Sequence, residues 1–171
     1  MAISMYKASV PVFVQYLSAF AAILKKAADH AAAKKIEPSV LVNARLCPDM
    51  FALARQVQIA TDHAKGAAAR LSGSEVPSFP DTETTFEELQ ARIAKTLDFI
   101  QGFKPEQIDG SDDKDIVLTI QGKQYPFKGT DYLLNFALPN FFFHLTTAYG
   151  ILRHCGVEIG KRDFLGANEK K

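Results

Sequence analysis

The side chains best suited to chemistry lie in the most apolar part of the chain. Asn140 and His144 are four residues apart within the run Leu138–His144, so they share one face of a predicted helix. A buried polar side chain without a partner costs roughly 1–3 kcal/mol. We therefore expect these two side chains to meet each other, a backbone group, water or a metal ion.

The other histidines are His30, His63 and His154. His63 lies in a predicted helix beside an alanine stripe and can face inward, so it is the candidate to meet His144. Helical bundles build metal sites from inward-facing side chains on different helices. A catalytic zinc site normally has three protein ligands. Here the third would be Asn140, Asp62 or a water, and asparagine is a poor ligand for zinc or nickel. His30 and His154 lie near helix ends, and we interpret both as solvent-facing residues without a site role.

The elements that position these residues follow from hydrophobic periodicity and capping signals. Apolar residues at three- and four-residue steps predict helices over about 7–34, 47–71 and 85–102, the third with a capping box at Thr85. A β-branched run followed by a glycine turn predicts a hairpin over about 115–128. A last helix is predicted after Gly129, capped by Thr130 or Asp131 and ended by Gly156, with a kink or break before Pro139. The remaining tail, about 157–171, has no helical period and is expected to be loose, with Ile159, Phe164 and Leu165 as candidates to pin part of it.

Four long helices and one hairpin favour an all-α four-helix bundle, with a small β-hairpin inserted before the last helix. The 171 residues suit a single domain. The net charge of +1, without a basic patch, argues against nucleic acid as a partner. The apolar run 10–24 is too short and too polar for a confident membrane span or a signal peptide. Two unpaired cysteines suit a reducing cytoplasm.

A resemblance to a known family rests on three parts of the sequence: residues 131–144, His63 and residues 151–156. Together they resemble the DinB/YfiT-like bundle superfamily and, more closely, an uncharacterised bacterial branch of it defined as a domain of unknown function. The resemblance covers about residues 5–156.

The resemblance implies a four-helix bundle, often dimeric. It also implies a divalent metal held by one histidine of the second helix and a His-x-x-x-His pair of the fourth. His63 matches the first ligand, His144 matches the later histidine of the pair, and Asn140 stands where the earlier one is expected. Characterised members include metal-dependent thiol transferases and isomerases.

Two functions follow as alternatives. The first is a metal-poor binding or structural homodimer with a small internal pocket for a small-molecule ligand, lined by Asn140, Asp62 and Tyr149. The second is a metal-dependent thiol S-transferase or isomerase that uses His63 and His144. The cofactor is either absent or a weakly held divalent metal such as zinc or nickel. We expect the two imidazoles to approach each other with Asn140 beside them. We also expect a homodimer, because the helices carry more apolar surface than one chain easily buries.

Overall fold

The computed structural model describes residues 4–166 as a mostly helical protein with a small two-stranded antiparallel sheet. The elements in chain order are α1 (Met5–Lys34), α2 (Pro38–Val42), α3 (Leu53–Ser72), α4 (Phe86–Gln101), α5 (Pro105–Ile108), β1 (Asp115–Ile120), β2 (Lys123–Lys128), α6 (Gly129–Tyr132), a π-helical turn (Leu133–Ala137), α7 (Leu138–His154) and α8 (Lys161–Leu165).

The four long helices α1, α3, α4 and α7 pack on one another. Helix α3 lies between α7 and α4, and α1 contacts both α4 and α3. The predicted apolar stripe of α1 is confirmed, because all five of its residues are buried: Phe13, Leu17, Phe20, Leu24 and Ala27. Helix α1 is also long and apolar enough to cross a membrane, but its apolar face packs in this core, as in a central helix of a water-soluble fold.

The second long helix begins later than predicted. Leu53 is its first residue, and Pro48 lies within a turn that the Met50 amide closes on the Cys47 carbonyl. The Leu53 amide donates to the Ala44 carbonyl at 2.9 Å, so the connection folds back on itself before the helix starts. The prediction of a start near residue 47 was therefore wrong by about one and a half turns, since a proline–acid pair also suits a turn.

The third predicted helix and the hairpin are confirmed. The capping box at Thr85 is present, and Ile120 pairs with Lys123 across a two-residue turn. Gln121 and Gly122 have φ angles of 50° and 77°, as in the left-handed two-residue turns that suit the twist of a hairpin. Ile116 and Leu118 face the helices and are buried, whereas Val117 is exposed.

The last helical stretch differs from its prediction in how it starts and how it accommodates proline. Strand β2 runs directly into α6, so Lys128 occupies the cap position instead of Thr130 or Asp131. The chain stays helical before Pro139, so the predicted break is absent, and the π-helical turn Leu133–Ala137 lies where the kink or break was predicted. A π turn widens the hydrogen-bonded ring by one residue, which suits a position next to a residue without an N–H. Gly156 ends the stretch with φ 84°, as predicted.

The predicted loose tail is ordered over its described part. Val157 and Ile159 are buried, and the Phe164 ring of α8 contacts Tyr16 and Tyr149. The Gln15 side chain donates to the Leu165 carbonyl at 2.9 Å. Helix α8 itself was not predicted because it has only five residues, too few for a visible helical period. Residues 167–171, the rest of that prediction, lie outside the described range.

Candidate functional site

Helices α3 and α7 bring two evenly spaced rows of side chains together. On α3 the spacing is seven residues, or about two turns, and on the α6–α7 stretch it is four residues, or about one turn. We call this contact the α3–α7 seam. Its members are Gln56, His63 and Arg70 on α3, with Tyr132, Phe136, Asn140 and His144 opposite.

His144 and Gln56 form the buried end of the seam. The His144 Nδ1 atom lies 2.7 Å from Gln56 Oε1. Gln56 Nε2 donates to the Phe51 carbonyl at 3.1 Å, which orients the carboxamide so that its oxygen accepts from the imidazole. The proton of neutral His144 is therefore on Nδ1, and Nε2 carries a lone pair. Burial lowers the pKa of His144, and the charge of Arg55 lowers it further.

His63 lies in the middle of the seam, next to His144. The two imidazole rings are nearly parallel, with their centroids 6.0 Å apart, and Phe136 contacts His63 from the other side at 5.7 Å. Burial, followed by the proximity of His144, lowers the pKa of His63 to about 4, against an opposing effect of Asp62. His63 is therefore neutral at physiological pH. Within residues 4–166 neither of its ring nitrogens has a hydrogen-bond partner.

Asn140 stands one helical turn before His144 and beside His63. Its Nδ2 donates to the Phe136 carbonyl at 2.7 Å, which leaves Oδ1 as the group that can face a ligand. The predicted neighbourhood of His63, His144 and Asn140 is thus present in the structure.

Arg70 and Tyr132 form the other end of the seam. The Arg70 Nη1 atom donates to the Tyr132 hydroxyl oxygen at 3.1 Å, and the guanidinium carbon lies 5.9 Å from the centre of the tyrosine ring. Tyr132 is almost fully buried, and burial raises the pKa of its hydroxyl. A neutral phenol therefore anchors one edge of a permanently charged guanidinium.

A cavity of about 490 Å³ opens beside the middle of the seam. The hairpin forms one wall through residues 117–120, and the seam forms the other. The side chains that line it from the helices are Asp62, His63, Arg70, Phe136 and Asn140. This volume is within the range of small-molecule sites, and an apolar wall with a few convergent polar groups is typical of them.

Asp62 lines the cavity, but its carboxylate is already engaged. Its Oδ1 lies 2.9 Å from Lys65 Nζ and 2.9 Å from Arg92 Nη2, and both cations are buried. Arg92 also pairs with Glu83 and Asp81 in the loop between α3 and α4. Removing Asp62 from this network would leave two buried cations without part of their compensation. Asp62 is therefore a structural anchor of the cavity wall.

The implied divalent metal does not fit these side chains. Within residues 4–166 no group of three His, Cys, Asp or Glu side chains is placed to share a metal ion. His144 has only Nε2 available, Asp62 is engaged with two cations, and the amide of Asn140 is a weak ligand for zinc or nickel. Two imidazoles and an amide do not supply the ligand set of a tight zinc site.

The predicted place of Tyr149 in the pocket is not supported by its position. Its ring packs against Phe164 of α8, with the centroids 5.6 Å apart. Tyr149 is five residues beyond His144, which turns it to another face of α7. The prediction used its nearness in sequence and could not foresee a partner in α8.

Four members of the seam were not predicted as site residues: the polar Gln56, Arg70 and Tyr132, and the aromatic Phe136. The periodicity needed to find them was present in the sequence. Gln56 and Arg70 lie seven residues on either side of His63, and Tyr132 lies two steps of four before Asn140. The residue types alone did not indicate a site, because glutamine, arginine and tyrosine occur on many half-buried helix faces.

Comparison with known proteins places this chain in a family. The sequence profile described as "Domain of unknown function (DUF1993)" matches residues 5–165. The chain belongs to the DUF1993 family. A crystal structure described as a DinB family member protein from Shewanella denitrificans is 43% identical in sequence to this chain, with a TM-score of 0.86. The similarity covers 97% of this chain and 94% of that one, so this DUF1993 chain is DinB-like over nearly its whole length. The comparison with curated proteins gave no match.

Proposed function

We propose that this DUF1993 protein is a DinB-like four-helix bundle that binds a small organic ligand in the cavity beside the α3–α7 seam, without a tightly held metal. The observation that carries the proposal is the state of His63. Its ring faces a cavity of ligand size, is neutral, and has no hydrogen-bond partner within residues 4–166. A neutral imidazole offers one donor and one acceptor, so a ligand in the cavity can satisfy both.

The remaining lining groups support the same role. Phe136 gives the cavity an aromatic wall, and Asn140 Oδ1 adds an acceptor beside His63. His144 is fixed by Gln56, and Asp62 by Lys65 and Arg92. These contacts hold the polar groups in place before a ligand arrives, which reduces the entropy lost on binding.

A variant that fills the cavity tests the proposal. Asn140→Trp places an indole in the cavity, whereas Val40→Trp changes an exposed residue of α2 that does not line the cavity. Small aromatic probes such as phenylacetate and phenylacetamide should show saturation-transfer NMR signals with the native protein and with Val40→Trp. The signals should be lost with Asn140→Trp. Equal signals from all three proteins would show that the probes bind elsewhere and would contradict the proposal.

The second function, a metal-dependent thiol transferase or isomerase, is favoured by the pairing of His63 with His144. Metal analysis of untagged protein distinguishes this enzyme from the metal-poor binding protein. We expect substoichiometric zinc and nickel in the native protein, and a gain of zinc affinity in Asn140→His, which places two imidazoles four residues apart opposite His63. Stoichiometric metal in the native protein would favour the enzyme instead.

We also propose a cytoplasmic homodimer, as the sequence suggests. Supporting it, α7 leaves Phe143 59% exposed and the π-helical turn leaves Leu134 50% exposed. The two residues lie nine positions apart on one helical stretch, and large exposed apolar side chains are a feature of association surfaces.

A further inference from the structure

Arg70 is a cation without an anionic partner in the described part of the chain. Within residues 4–166 its guanidinium forms no ion pair, and its hydrogen bond goes to the Tyr132 hydroxyl. The buried cations Lys65 and Arg92, by contrast, both pair with carboxylates. A guanidinium carries five N–H donors in a fixed fork, so most of the Arg70 donors have no protein acceptor in residues 4–166.

The backbone of α3 makes room for this guanidinium. Gly66 stands one turn before Arg70, and a Cβ atom at this position would lie 2.3 Å from Arg70 Nη1. Glycine is less favourable than alanine in a helix interior. The missing side chain therefore lets the guanidinium fold back along α3 toward Tyr132 and the cavity.

The field in the cavity favours an anion. Arg70 is charged at all physiological pH values, while His63 and His144 are neutral there. The one carboxylate in the lining, Asp62, is compensated by two cations. A ligand that brings one negative charge would balance Arg70, and a planar carboxylate matches the fork of a guanidinium.

We propose that the ligand of this cavity is a small organic carboxylate, with its carboxylate on Arg70 and its apolar body against Phe136 and the hairpin. The inference rests on the proposed function and specifies the class of ligand. The cavity of about 490 Å³ is large enough to admit a small aromatic acid such as phenylacetate. Its carbon skeleton would lie between the exposed edge of β1 and the π-helical turn, and its far end would approach His63.

The test compares a carboxylate with its neutral isostere. Phenylacetate and phenylacetamide have the same shape and differ by one charge. By isothermal titration we expect phenylacetate to bind native protein at roughly 1 mM and about tenfold more tightly than phenylacetamide. Arg70→Gln should reduce the phenylacetate affinity to that of the amide. Lys7→Gln removes an equal charge from an exposed position on α1 and should change neither affinity.

The variant Gly66→Ala keeps the positive charge of Arg70 but displaces its guanidinium. Alanine favours the helix but displaces the guanidinium, so phenylacetate should bind several-fold more weakly while the thermal midpoint is unchanged or higher. This variant separates loss of Arg70 geometry from loss of folding.

The outcomes distinguish the two proposals. Equal binding of acid and amide, or a preference for the acid that survives Arg70→Gln, would overturn the carboxylate inference and leave the cavity as a neutral-ligand site. Failure of both probes to bind the native protein would overturn the proposed function together with this inference.

Discussion

At the scale of single residues, burial lowers the pKa of both central imidazoles, those of His63 and His144. The pKa of His63 falls from 6.5 to about 4 because burial and the nearby His144 disfavour its charged form. The unfolded chain therefore binds more protons than the folded one between these pH values. His144 shifts in the same direction.

This shift predicts how stability depends on pH. The full stability associated with neutral His63 is present above about pH 6.5 and is lost progressively as the pH falls to about 4, by roughly 2–3 kcal/mol. Urea unfolding at several pH values measures the loss. His63→Gln should remove much of it, whereas His154→Gln, at an exposed position on α7, should retain it. A native stability that is flat between these pH values would contradict the buried, neutral state.

At the scale of elements, the hairpin is held as a wall of the cavity by contacts at its base. Lys114 Nζ donates to the Leu71 carbonyl at the end of α3, at 3.0 Å. The Thr130 amide donates to the Asp112 carbonyl at 2.9 Å. Between these contacts Gly129 passes close to Ser111, where a Cβ atom would lie 1.8 Å from the Ser111 carbonyl oxygen.

The close approach makes Gly129 a sensitive position. Gly129→Ala should destabilise the protein by about 2 kcal/mol or more, because backbone must move to relieve the clash. It should also weaken probe binding, since the hairpin forms one cavity wall. Thermal unfolding and probe titration measure both effects. Gly160→Ala, where a Cβ atom meets nothing within 4 Å, is the control. Equal stability of the two variants would show that the hairpin base can relax.

At the scale of elements, the sequence predicts some parts of the fold and not others. Periodicity and capping located α1, α4, the hairpin and the end of α7, because each has a strong local signal. The segment 43–52 and α8 were misjudged because tertiary contacts determine them, such as the Leu53 amide on the Ala44 carbonyl. The encounter of His63 with His144 could be anticipated from helix faces. Periodicity puts Arg70 and Tyr132 on the same helix faces as the histidines, but their hydrogen bond depends on how α3 packs against α6.

At the scale of the whole molecule, the exposed apolar residues predict self-association. We expect a homodimer at tens of micromolar, an order of magnitude typical of modest affinity, and Phe143→Ser should weaken it by about tenfold or more. Sedimentation velocity measures this. The exposed Val40 at 61% lies on α2, away from α7, and Val40→Ser is the matched control. A native monomer at these concentrations would contradict the dimer.

Family membership alone does not assign an activity to this DUF1993 protein, because one fold supports many functions. The seam is informative because its chemistry departs from that of a three-histidine metal centre. Three observations within residues 4–166 support the proposed organic-ligand pocket: His144 is held by Gln56, the ring nitrogens of His63 have no hydrogen-bond partner, and Arg70 forms no ion pair.

The most direct test of that account is a histidine-resolved NMR titration of untagged, chelator-treated protein with phenylacetate and phenylacetamide. Side-chain ¹⁵N signals report both the tautomer of each histidine and contact with a ligand. The account predicts an Nδ1-protonated His144 and ligand-dependent shifts at His63 without added metal, while His30 and His154 stay unchanged. If His63 shifts only after zinc or nickel is added, or never shifts, a metal-independent pocket at this seam is contradicted.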